Sequence, residues 1–560
     1  PVLAAVERNI SVVAEEMSEF ITRYTLHATR KIKNKGIDCR AILLSLFSSL
    51  LLILSFPKFN LSFLAWIGFV PLFIGCKGKS RKHCFFLFYL AGAVFWAGIL
   101  YWLIQVNFIG FFLLVLYLAI YFGIFGLAIG YTLHATRYTP KIANQRSIIF
   151  YFLFVPSLWV VLEFIRSHLF SGFAWALLGY SQYLNLPIIQ IADISGAYGV
   201  SFLIMMVNGV LGLQATGYRL QAKKRVLLAL LPVLCIIGTL IYGYIKIGSP
   251  VTSHQSPVTI SVVQGNIPQK QKWDEQFKEN ILNKYINLSQ EAARKDSPDL
   301  IIWPETAVPA YFNQDKGLKD RILEFSSHID TFLLIGTPLL RGNKSFNSAV
   351  LISSDKTVQQ YDKLHLVPFG EYVPSLFSFI RRFIEIGDFS PGKDWTVFQS
   401  HQSPGHQLPG HQSPVPAFAV LICFEDVFPY LSRGFVKRGA DFLINISNDA
   451  WFGKSSAPYQ HCQSAVFRAV ENRVQVIKCS NTGISCFIKP SGEIFGRLLK
   501  QGKDIFVDGY STQRILIEKK QPSFYTRFGD IFALLCLLFC VGFSIIQWVI
   551  GFRLKKSKRI

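Results

Sequence analysis

The stretch YDKLHLVPFGEYVP, residues 361–374, sets a lysine, a histidine and a glutamate among apolar and aromatic side chains. A lysine in apolar surroundings can present a fixed positive charge to a developing oxyanion. An ion pair between Lys363 and Glu371 that serves only the structure explains the same pattern. The stretch by itself therefore predicts a charged pair, and its role, structural or catalytic, depends on the segments around it.

Two other segments place reactive side chains at the ends of short apolar runs. WPET at 303–306 follows one such run, and Glu305, held behind a proline, is suited to act as a general base. ICFED at 422–426 ends another run at Cys423, where a helix N-terminus and a nearby lysine would favour the thiolate. A carboxylate can take the thiol proton, and the sulfur can then attack a carbonyl to form a thioester. Taken singly, Glu305 is explained as a solvated strand end and Cys423 as a buried hydrophobe.

The region around these segments, residues 248–529, has the pattern of a soluble α/β domain. Short β-rich runs alternate with polar, helix-compatible segments at 274–295 and 458–473. Alternation of this kind predicts helices packed on sheets. The predicted strands are 258–264, 300–303, 332–336, 349–353, 418–423, 442–446 and 474–479.

Long apolar runs lie on both sides of this domain and predict a polytopic α-helical membrane domain. A helix needs about 20 residues to cross the hydrocarbon core. Most runs reach that length, whereas the first two are short and either borrow flanking residues or pair as a hairpin. The eight predicted spans are 41–56, 61–76, 84–104, 110–132, 147–165, 194–216, 226–247 and 530–552.

The distribution of positive charge indicates how the spans are oriented. The net charge is +23, and lysines and arginines cluster before the first run, in every second short loop and after the last run. Because loops rich in these residues stay in the cytoplasm, both termini are predicted inside and residues 248–529 outside. Charge placed this way fits anionic lipid headgroups better than a nucleic acid.

Several segments stand apart from this organisation. Residues 1–38 are expected to be a dispensable extension before the membrane domain at 39–247, and residues 530–560 to form the last span and a basic tail. The insert HQSPGHQLPGHQSP at 401–414 is rich in histidine, but it has no acidic or cysteine partner, so a tolerated surface loop is favoured over a metal site. No metal and no cofactor is expected.

Two further features, outside the reactive segments, allow specific predictions. Glu163 and Arg166 stand three residues apart in the fifth run, which predicts an ion pair on a helix surface. The apolar segments 174–180 and 376–380 are candidates for an interfacial wall or lid, with ordinary packing as an equal alternative.

The reactive segments together, in this order, resemble the carbon–nitrogen hydrolase, or nitrilase, superfamily. The resemblance extends to the bacterial apolipoprotein N-acyltransferases, which join such a domain to eight membrane helices. It covers roughly residues 40–550 and includes QGNIPQ at 264–269 and SNDAWFG at 447–453. It implies an α-β-β-α sandwich for the outer domain.

The resemblance also implies a role for each matching residue. Cys423 would be the nucleophile that takes an acyl chain, Glu305 the general base, and Lys363 the group that stabilises the oxyanion. Glu371 would orient the lysine or the incoming group. The family uses further positions around the active site, here occupied by Trp273, Phe424, Glu425 and Trp451; Phe424 stands where a tyrosine is common.

The implied reaction moves an acyl chain from a membrane phospholipid, through a thioester on Cys423, to the N-terminal amino group of a diacylglyceryl-cysteine lipoprotein. The implied protein is a monomer in the bacterial cytoplasmic (inner) membrane with an extracytoplasmic, or periplasmic, catalytic domain. A membrane-tethered amidohydrolase is one alternative. A transporter or scaffold with a degenerate nitrilase domain is another, and it predicts the loss of a triad residue, although all three are present.

Overall fold

A computed structural model describes residues 38–138, 150–216, 222–248, 255–329, 331–373, 388–399, 415–518 and 521–557. The predicted extension before residue 38, the insert at 401–414 and the candidate lid at 376–380 lie outside these residues.

Apolar helices form the first part of the chain and return at its end. The last helix keeps large apolar side chains exposed, with Leu538 at 68% and Trp548 at 69%, as expected of a surface that lipid covers. The helices are α1 (Cys39–Leu54), α2 (Val70–Gly75), α3 (Arg81–Ile99), α4 (Phe108–Tyr138), α5 (Val155–His168), α6 (Leu186–Ile189), α7 (Ala192–Ser195), α8 (Ala197–Ala215), α9 (Ala222–Gly248), α10 (Lys278–Asp296), α11 (Lys316–Ile329), α12 (Pro429–Lys437), α13 (Ala457–Asn472), α14 (Phe524–Phe528) and α15 (Ile531–Ser557).

Five helices among the described residues are long and apolar enough to cross a membrane, namely α3 and α8 and parts of α4, α9 and α15. The other three predicted runs form shorter helices. They are α1, the 3-10 helix Ser62–Trp66 with α2, and the π-helix Phe150–Phe154 with α5. The structure therefore confirms a part built of apolar helices, and the number of eight spans stays a prediction.

Two sheets lie between α9 and α14. The six-stranded sheet has the order β11-β1-β2-β3-β4-β5, in which β1, β2 and β3 are parallel. The five-stranded sheet has the order β10-β9-β8-β7-β6, in which β6, β7 and β8 are parallel. The strands are β1 (Gln255–Gln264), β2 (Leu300–Ile302), β3 (Phe332–Arg341), β4 (Lys344–Ile352), β5 (Val358–Asp362), β6 (Phe418–Ile422), β7 (Phe442–Ser447), β8 (Gln475–Ser480), β9 (Cys486–Ile488), β10 (Ile494–Phe495) and β11 (Gly509–Glu518), and they confirm every predicted strand.

Alternation along the parallel strands produces four layers. Side chains such as Val263 and Ile301 pack with Leu282 of α10 and Ile322 of α11, outside the six-stranded sheet. Their neighbours in the strands, such as Ile302, pack instead with the five-stranded sheet, whose other face meets α12 and α13. Because successive strand residues point to opposite faces, continuous apolar runs of this kind are expected where both faces are covered. The arrangement is the α-β-β-α sandwich that the resemblance implies.

Glu163 and Arg166 do not form the predicted ion pair on a helix surface. Both side chains are buried, each 3% exposed. Glu163 Oε1 accepts a hydrogen bond from Leu178 N at 2.7 Å, and Arg166 Nη1 donates to the carbonyl oxygens of Phe173 and Trp175. The prediction is wrong because helical spacing identifies neighbours on one helix but not a loop that packs over them. The two residues fix the loop that follows α5.

Candidate active site

The ends of three strands bring Glu305, Lys363 and Cys423 together. Glu305 follows β2 by three residues, Lys363 follows β5 directly and Cys423 follows β6 directly. Lys363 Nζ lies 3.6 Å from Glu305 Oε1, and the charges of both residues act on the Cys423 thiol. Gly336 of β3 makes room for this approach, since a Cβ there would lie 2.6 Å from Glu305 Cα. The structure thus assembles the predicted triad from both sheets.

Glu305 is held as an acceptor by two groups. Asn347 Nδ2 donates to Glu305 Oε1 at 2.8 Å, and the backbone N–H of Asn448 donates to Oε2 at 2.9 Å. The residue is 7% exposed. Both oxygens are therefore fixed in a buried position, a geometry that a general base would need.

Lys363 forms the ion pair with Glu371 that the sequence predicts, while it also lies beside Glu305 of the triad. Its ammonium group donates to Glu371 Oε1 at 2.9 Å, and its side chain is 1% exposed. Glu371 in turn accepts from Val367 N and from Asn347 Nδ2. Burial disfavours the charge on Lys363, but Glu371 and Glu305 outweigh burial and raise its pKa. The lysine therefore stays a cation at physiological pH.

Cys423 lies at a strained turn between β6 and the 3-10 helix Cys423–Val427. Its φ of +53° is unusual for a residue other than glycine. Burial raises the pKa of its thiol well above the ordinary value, and Glu305 raises it further, against the opposing effect of Lys363. Lys363 thus favours the thiolate, as the sequence predicts, but burial and Glu305 outweigh its effect on the pKa of the thiol. Cys423 needs a base in order to react.

Glu425 ties the lysine segment to the nucleophile turn. Its carboxylate accepts from Tyr361 Oη, from the backbone N–H groups of Leu364 and His365, and from Ile422 N, at 2.7 to 3.0 Å. Burial raises the pKa of Glu425 to about 7. The residue has no exposed surface, so its role in this geometry is to position both strand ends.

Phe424 marks the contact between the nucleophile turn and the membrane helices. Its ring stacks on Trp175 with a centroid distance of 6.1 Å and meets Phe428 at 5.1 Å. Trp175 belongs to the candidate wall at 174–180, whose residues are buried. Trp175 and Trp102 both donate through Nε1 to Gln460 Oε1 on α13, at 2.9 and 3.1 Å. An apolar, aromatic surface thus connects the turn at Cys423 with the helical part.

The two predicted tryptophans lie at the rim. Trp273 is 52% exposed and lines an open cavity of about 520 Å³ with Tyr311 and Phe389. Trp451 is 53% exposed and lies in the 3-10 helix Asp449–Phe452, shortly after the Asn448 amide that binds Glu305. Neither side chain has a hydrogen bond to the triad among the described residues, so the structure brings them near the triad but not into it.

Several residues at the site were not predicted from the sequence. Lys272 is buried, donates through Nζ to the Glu305 carbonyl oxygen at 3.0 Å, and has a pKa lowered by burial to about 7. Asn347 bridges Glu305 and Glu371. A lysine in a polar segment and an asparagine in a strand have no distinguishing pattern, although the position of Lys272 beside Trp273 is a weak signal. Four more charged residues lie behind Cys423 and are described below.

Comparison with known proteins agrees with this geometry. A family model described as the apolipoprotein N-acyltransferase N-terminal domain matches residues 48–210, and one described as carbon-nitrogen hydrolase matches residues 259–508. A protein of Geobacter metallireducens named apolipoprotein N-acyltransferase is 38% identical over 90% of this chain and 94% of its own length. One of the same name from Chlorobaculum tepidum is 30% identical over 88% and 94%.

Among solved structures, the chain is similar to Nit3 of Saccharomyces cerevisiae, a member of branch 10 of the nitrilase superfamily. The two sequences are 18% identical, and the match covers 48% of this chain and 92% of the Nit3 chain, with a TM-score of 0.35. The assignment rests on the family models and the sequence relatives, not on this likeness. From their extent along both the helical part and the sandwich, the chain belongs to the apolipoprotein N-acyltransferase family.

Proposed function

We propose that this protein transfers an acyl chain from a membrane phospholipid, through a thioester on Cys423, to the N-terminal amino group of a diacylglyceryl-cysteine lipoprotein. The observation that carries the proposal is the position of the triad. Glu305 is buried and Cys423 is half-buried, and the turn at Cys423 packs, through Phe424 and Trp175, on the apolar helices. A site that joins a thiol nucleophile to a lipid-facing part suits substrates that are both anchored in a membrane.

In the first half-reaction Glu305 takes the proton of the Cys423 thiol, and the sulfur attacks the sn-1 ester carbonyl of the phospholipid. The Lys363 ammonium stabilises the negative oxygen of the tetrahedral intermediate. The C–O bond of the ester then breaks, and the leaving oxygen takes the proton from Glu305. The products are an acyl-thioester on Cys423 and a lysophospholipid.

In the second half-reaction the free α-amino group of the lipoprotein attacks the thioester carbonyl. Glu305 accepts a proton from the attacking nitrogen, and Lys363 again stabilises the oxyanion. The C–S bond breaks, and the expelled sulfur regains its proton from Glu305. Transfer rather than hydrolysis requires little water at the thioester, and the low exposure of Glu305 and Lys363 supports this.

The surrounding residues support these steps in different ways. Glu371 orients Lys363 through their 2.9 Å contact, and Glu425 holds the lysine segment against the nucleophile turn. Phe424 offers a ring instead of a hydroxyl, so we assign it to the apolar wall that receives the acyl chain. Trp273 and Trp451 are placed at the rim, where half-exposed aromatic rings can contact lipid or acceptor.

We further propose eight spans in the bacterial cytoplasmic (inner) membrane, with both termini in the cytoplasm and residues 248–529 outside. The catalytic sandwich contacts the helical part at Ile99, Trp102 and Trp175, in loops that are poor in lysine and arginine. Helix α3 begins at Arg81, within a basic cluster, and ends at Ile99, so the basic cluster and the contact with the sandwich lie at opposite ends of this helix. Since basic loops stay inside, the sandwich belongs on the opposite, extracytoplasmic face.

The proposal is tested with the full-length protein in detergent, incubated with a phospholipid labelled in its sn-1 palmitate. We expect a labelled thioester that hydroxylamine releases, and no label on the C423A variant. Addition of a diacylglyceryl-cysteine lipopeptide with a free amine should move the label to the peptide. The matched control is the same lipopeptide with an acetylated amine, which should leave the thioester intact.

The alternative amidohydrolase makes a different prediction. If the enzyme discharges its label only to water, with or without the lipopeptide, the transferase proposal fails. The same assay with a variant that lacks residues 401–414 tests the insert. We expect equal thioester formation with and without it, as for a surface loop.

A further inference from the structure

A second cluster of buried charges lies directly behind Cys423 and takes no part in the mechanism above. We name it the rear cluster. Each of its side chains is 2% exposed or less, and the residues come from four different elements. The rear cluster consists of Asp426, Asp449, His461 and Lys478.

The surroundings of His461 fix its protonation state. Its Nδ1 lies 3.1 Å from Asp449 Oδ1, and its Nε2 lies 3.1 Å from the Cys423 carbonyl oxygen and 3.0 Å from Asp426 Oδ1. All three partners are acceptors. A neutral imidazole has one nitrogen without hydrogen, and that lone pair would face an acceptor oxygen in a buried site. Both nitrogens therefore carry a proton, and the ring is an imidazolium.

The charged groups packed against His461 agree with this conclusion. Lys478, 3.6 Å from Asp426, is the neighbouring cation. Burial and Lys478 disfavour a charge on His461, but Asp426 and Asp449 outweigh them and raise its pKa to about 9. Two anions and two cations balance in the rear cluster, so the imidazolium keeps its charge through the neutral pH range.

The imidazolium acts on the peptide that joins Cys423 to Phe424. The carbonyl oxygen of that peptide accepts from His461 Nε2 and from Asn445 Nδ2, at 3.1 and 3.0 Å. A cation on the carbonyl oxygen draws electron density through the amide and makes its N–H a stronger donor. That N–H belongs to Phe424, the residue after the nucleophile, where backbone amides commonly stabilise the oxyanion of acyl transfer.

We propose that His461 is a positioning residue that polarises the Cys423–Phe424 peptide, so that the Phe424 N–H serves with Lys363 as a donor to the oxyanion. The inference rests on the proposed function, because it concerns the rate at which the Cys423 thioester forms and breaks. The same contacts explain how the left-handed conformation of Cys423 is stabilised, because the side chains of Asn445 and His461 both donate hydrogen bonds to its carbonyl oxygen.

The first test compares H461Q with the wild type in single-turnover formation of the labelled thioester. Glutamine can still donate to the Cys423 carbonyl but has no charge. We expect the rate constant to fall about tenfold or more, with an unchanged KM for the phospholipid. The fall should be smaller than that caused by the complete loss of an oxyanion donor, because the Phe424 N–H is weakened but still present. H328Q, which changes an exposed histidine on α11, is the matched control and should behave as wild type.

The second test is the pH profile of D449N, which is useful even if H461Q does not fold. Asparagine keeps an oxygen near Nδ1 but removes the charge that raises the pKa of His461. The ratio of the D449N rate to the wild-type rate should therefore fall as pH rises from 6 to 8, because His461 loses its proton earlier in the variant. A purely structural role would lower the rate equally at every pH.

The outcomes separate this inference from the proposed function. If the wild type forms no thioester, both fail. If the wild type forms it and H461Q equals wild type in rate, the role of His461 is refuted. A flat D449N ratio between pH 6 and 8 refutes it as well.

Discussion

The two groups of charges on either side of Cys423 contain similar residue types but differ in charge balance and in exposure to solvent. In the front cluster, which consists of Glu305, Lys363 and Glu371, two anions share one cation, and the carboxylate side chains remain 9% and 13% exposed. The rear cluster has two anions and two cations and is closed. An excess carboxylate with slight exposure can exchange a proton during a reaction, whereas a balanced and sealed group keeps its charges constant. The same residue types thus suit the proposed proton transfer in one place and the proposed fixed charge in the other.

The largest expected effect comes from removing proton transfer in the front cluster. In E305Q the shape of the side chain and the hydrogen bond from Asn448 N can remain, but the base is lost. We expect thioester formation to slow by about 10²- to 10⁴-fold, the usual contribution of general-base catalysis. The measurement is single-turnover labelling of Cys423 with wild-type protein as the reference. A wild-type rate in E305Q would remove Glu305 from the mechanism.

Breaking the charge balance of the rear cluster should act on stability. K478M leaves the buried Asp426 and Asp449 with one cation, His461. Removing one partner of a buried pair costs about 3–5 kcal/mol, so the variant should unfold at a markedly lower temperature. Thermal unfolding of the purified protein measures this. K489M, which changes a lysine 46% exposed and paired with Glu493, is the matched control and should unfold like wild type.

The pH dependence of stability should distinguish Glu425 from both clusters. Its pKa is raised by burial to about 7, above the ordinary value near 4.5, so the folded state binds the proton more tightly than the unfolded state. The contribution of Glu425 to stability is therefore greatest at low pH and is lost as pH rises through about 7, by roughly 2–3 kcal/mol between pH 5 and 8. Thermal unfolding of wild type and E425Q across this range should show a smaller loss in E425Q, where Glu471, whose pKa burial also raises to about 7, still contributes. If wild type instead became more stable as pH rises, the hydrogen bonds to Glu425 would lower its pKa by more than burial raises it.

The smallest expected effect concerns a buried acid that works as a simple acceptor. E163Q keeps an oxygen for the Leu178 N–H and should therefore lose less stability than E163A. E163A leaves that N–H buried without its acceptor, which costs about 1–3 kcal/mol. Unfolding temperatures of the two variants measure the difference. Equal losses in both would show that the charge of Glu163, not its hydrogen bond, stabilises the loop.

Much of the fold could be predicted from the sequence. The strands that the sequence indicates are apolar runs buried on both faces, and Glu305 and Cys423 each follow one of them closely, whereas Lys363 follows β5. The missed strands, β5, β9, β10 and β11, are short or mixed in polarity. β11 depends on its pairing with β1 over ten residues, and that pairing is a long-range contact without a local pattern.

The candidate site was predictable only in its front half. Glu305, Lys363 and Cys423 lie in distinctive local motifs. The rear cluster is assembled from a turn after β6, a turn after β7, a helix and a strand, and no spacing in the sequence links Asp426, Asp449, His461 and Lys478. Glu163 and Arg166 were misinterpreted for the same reason, because their partners come from a loop that folds back over α5.

Helix α13 presents His461 to the nucleophile turn on one side and binds the membrane helices on the other. Next to His461, Gln460 holds Trp102 and Trp175, and Arg468 pairs with Glu471 while donating to Tyr180 Oη. Cutting the chain at the domain boundaries would expose this buried face to solvent. The sandwich and the helical part should therefore unfold in one cooperative transition, and a fragment that carries only the catalytic sequence should not behave as an independent soluble enzyme.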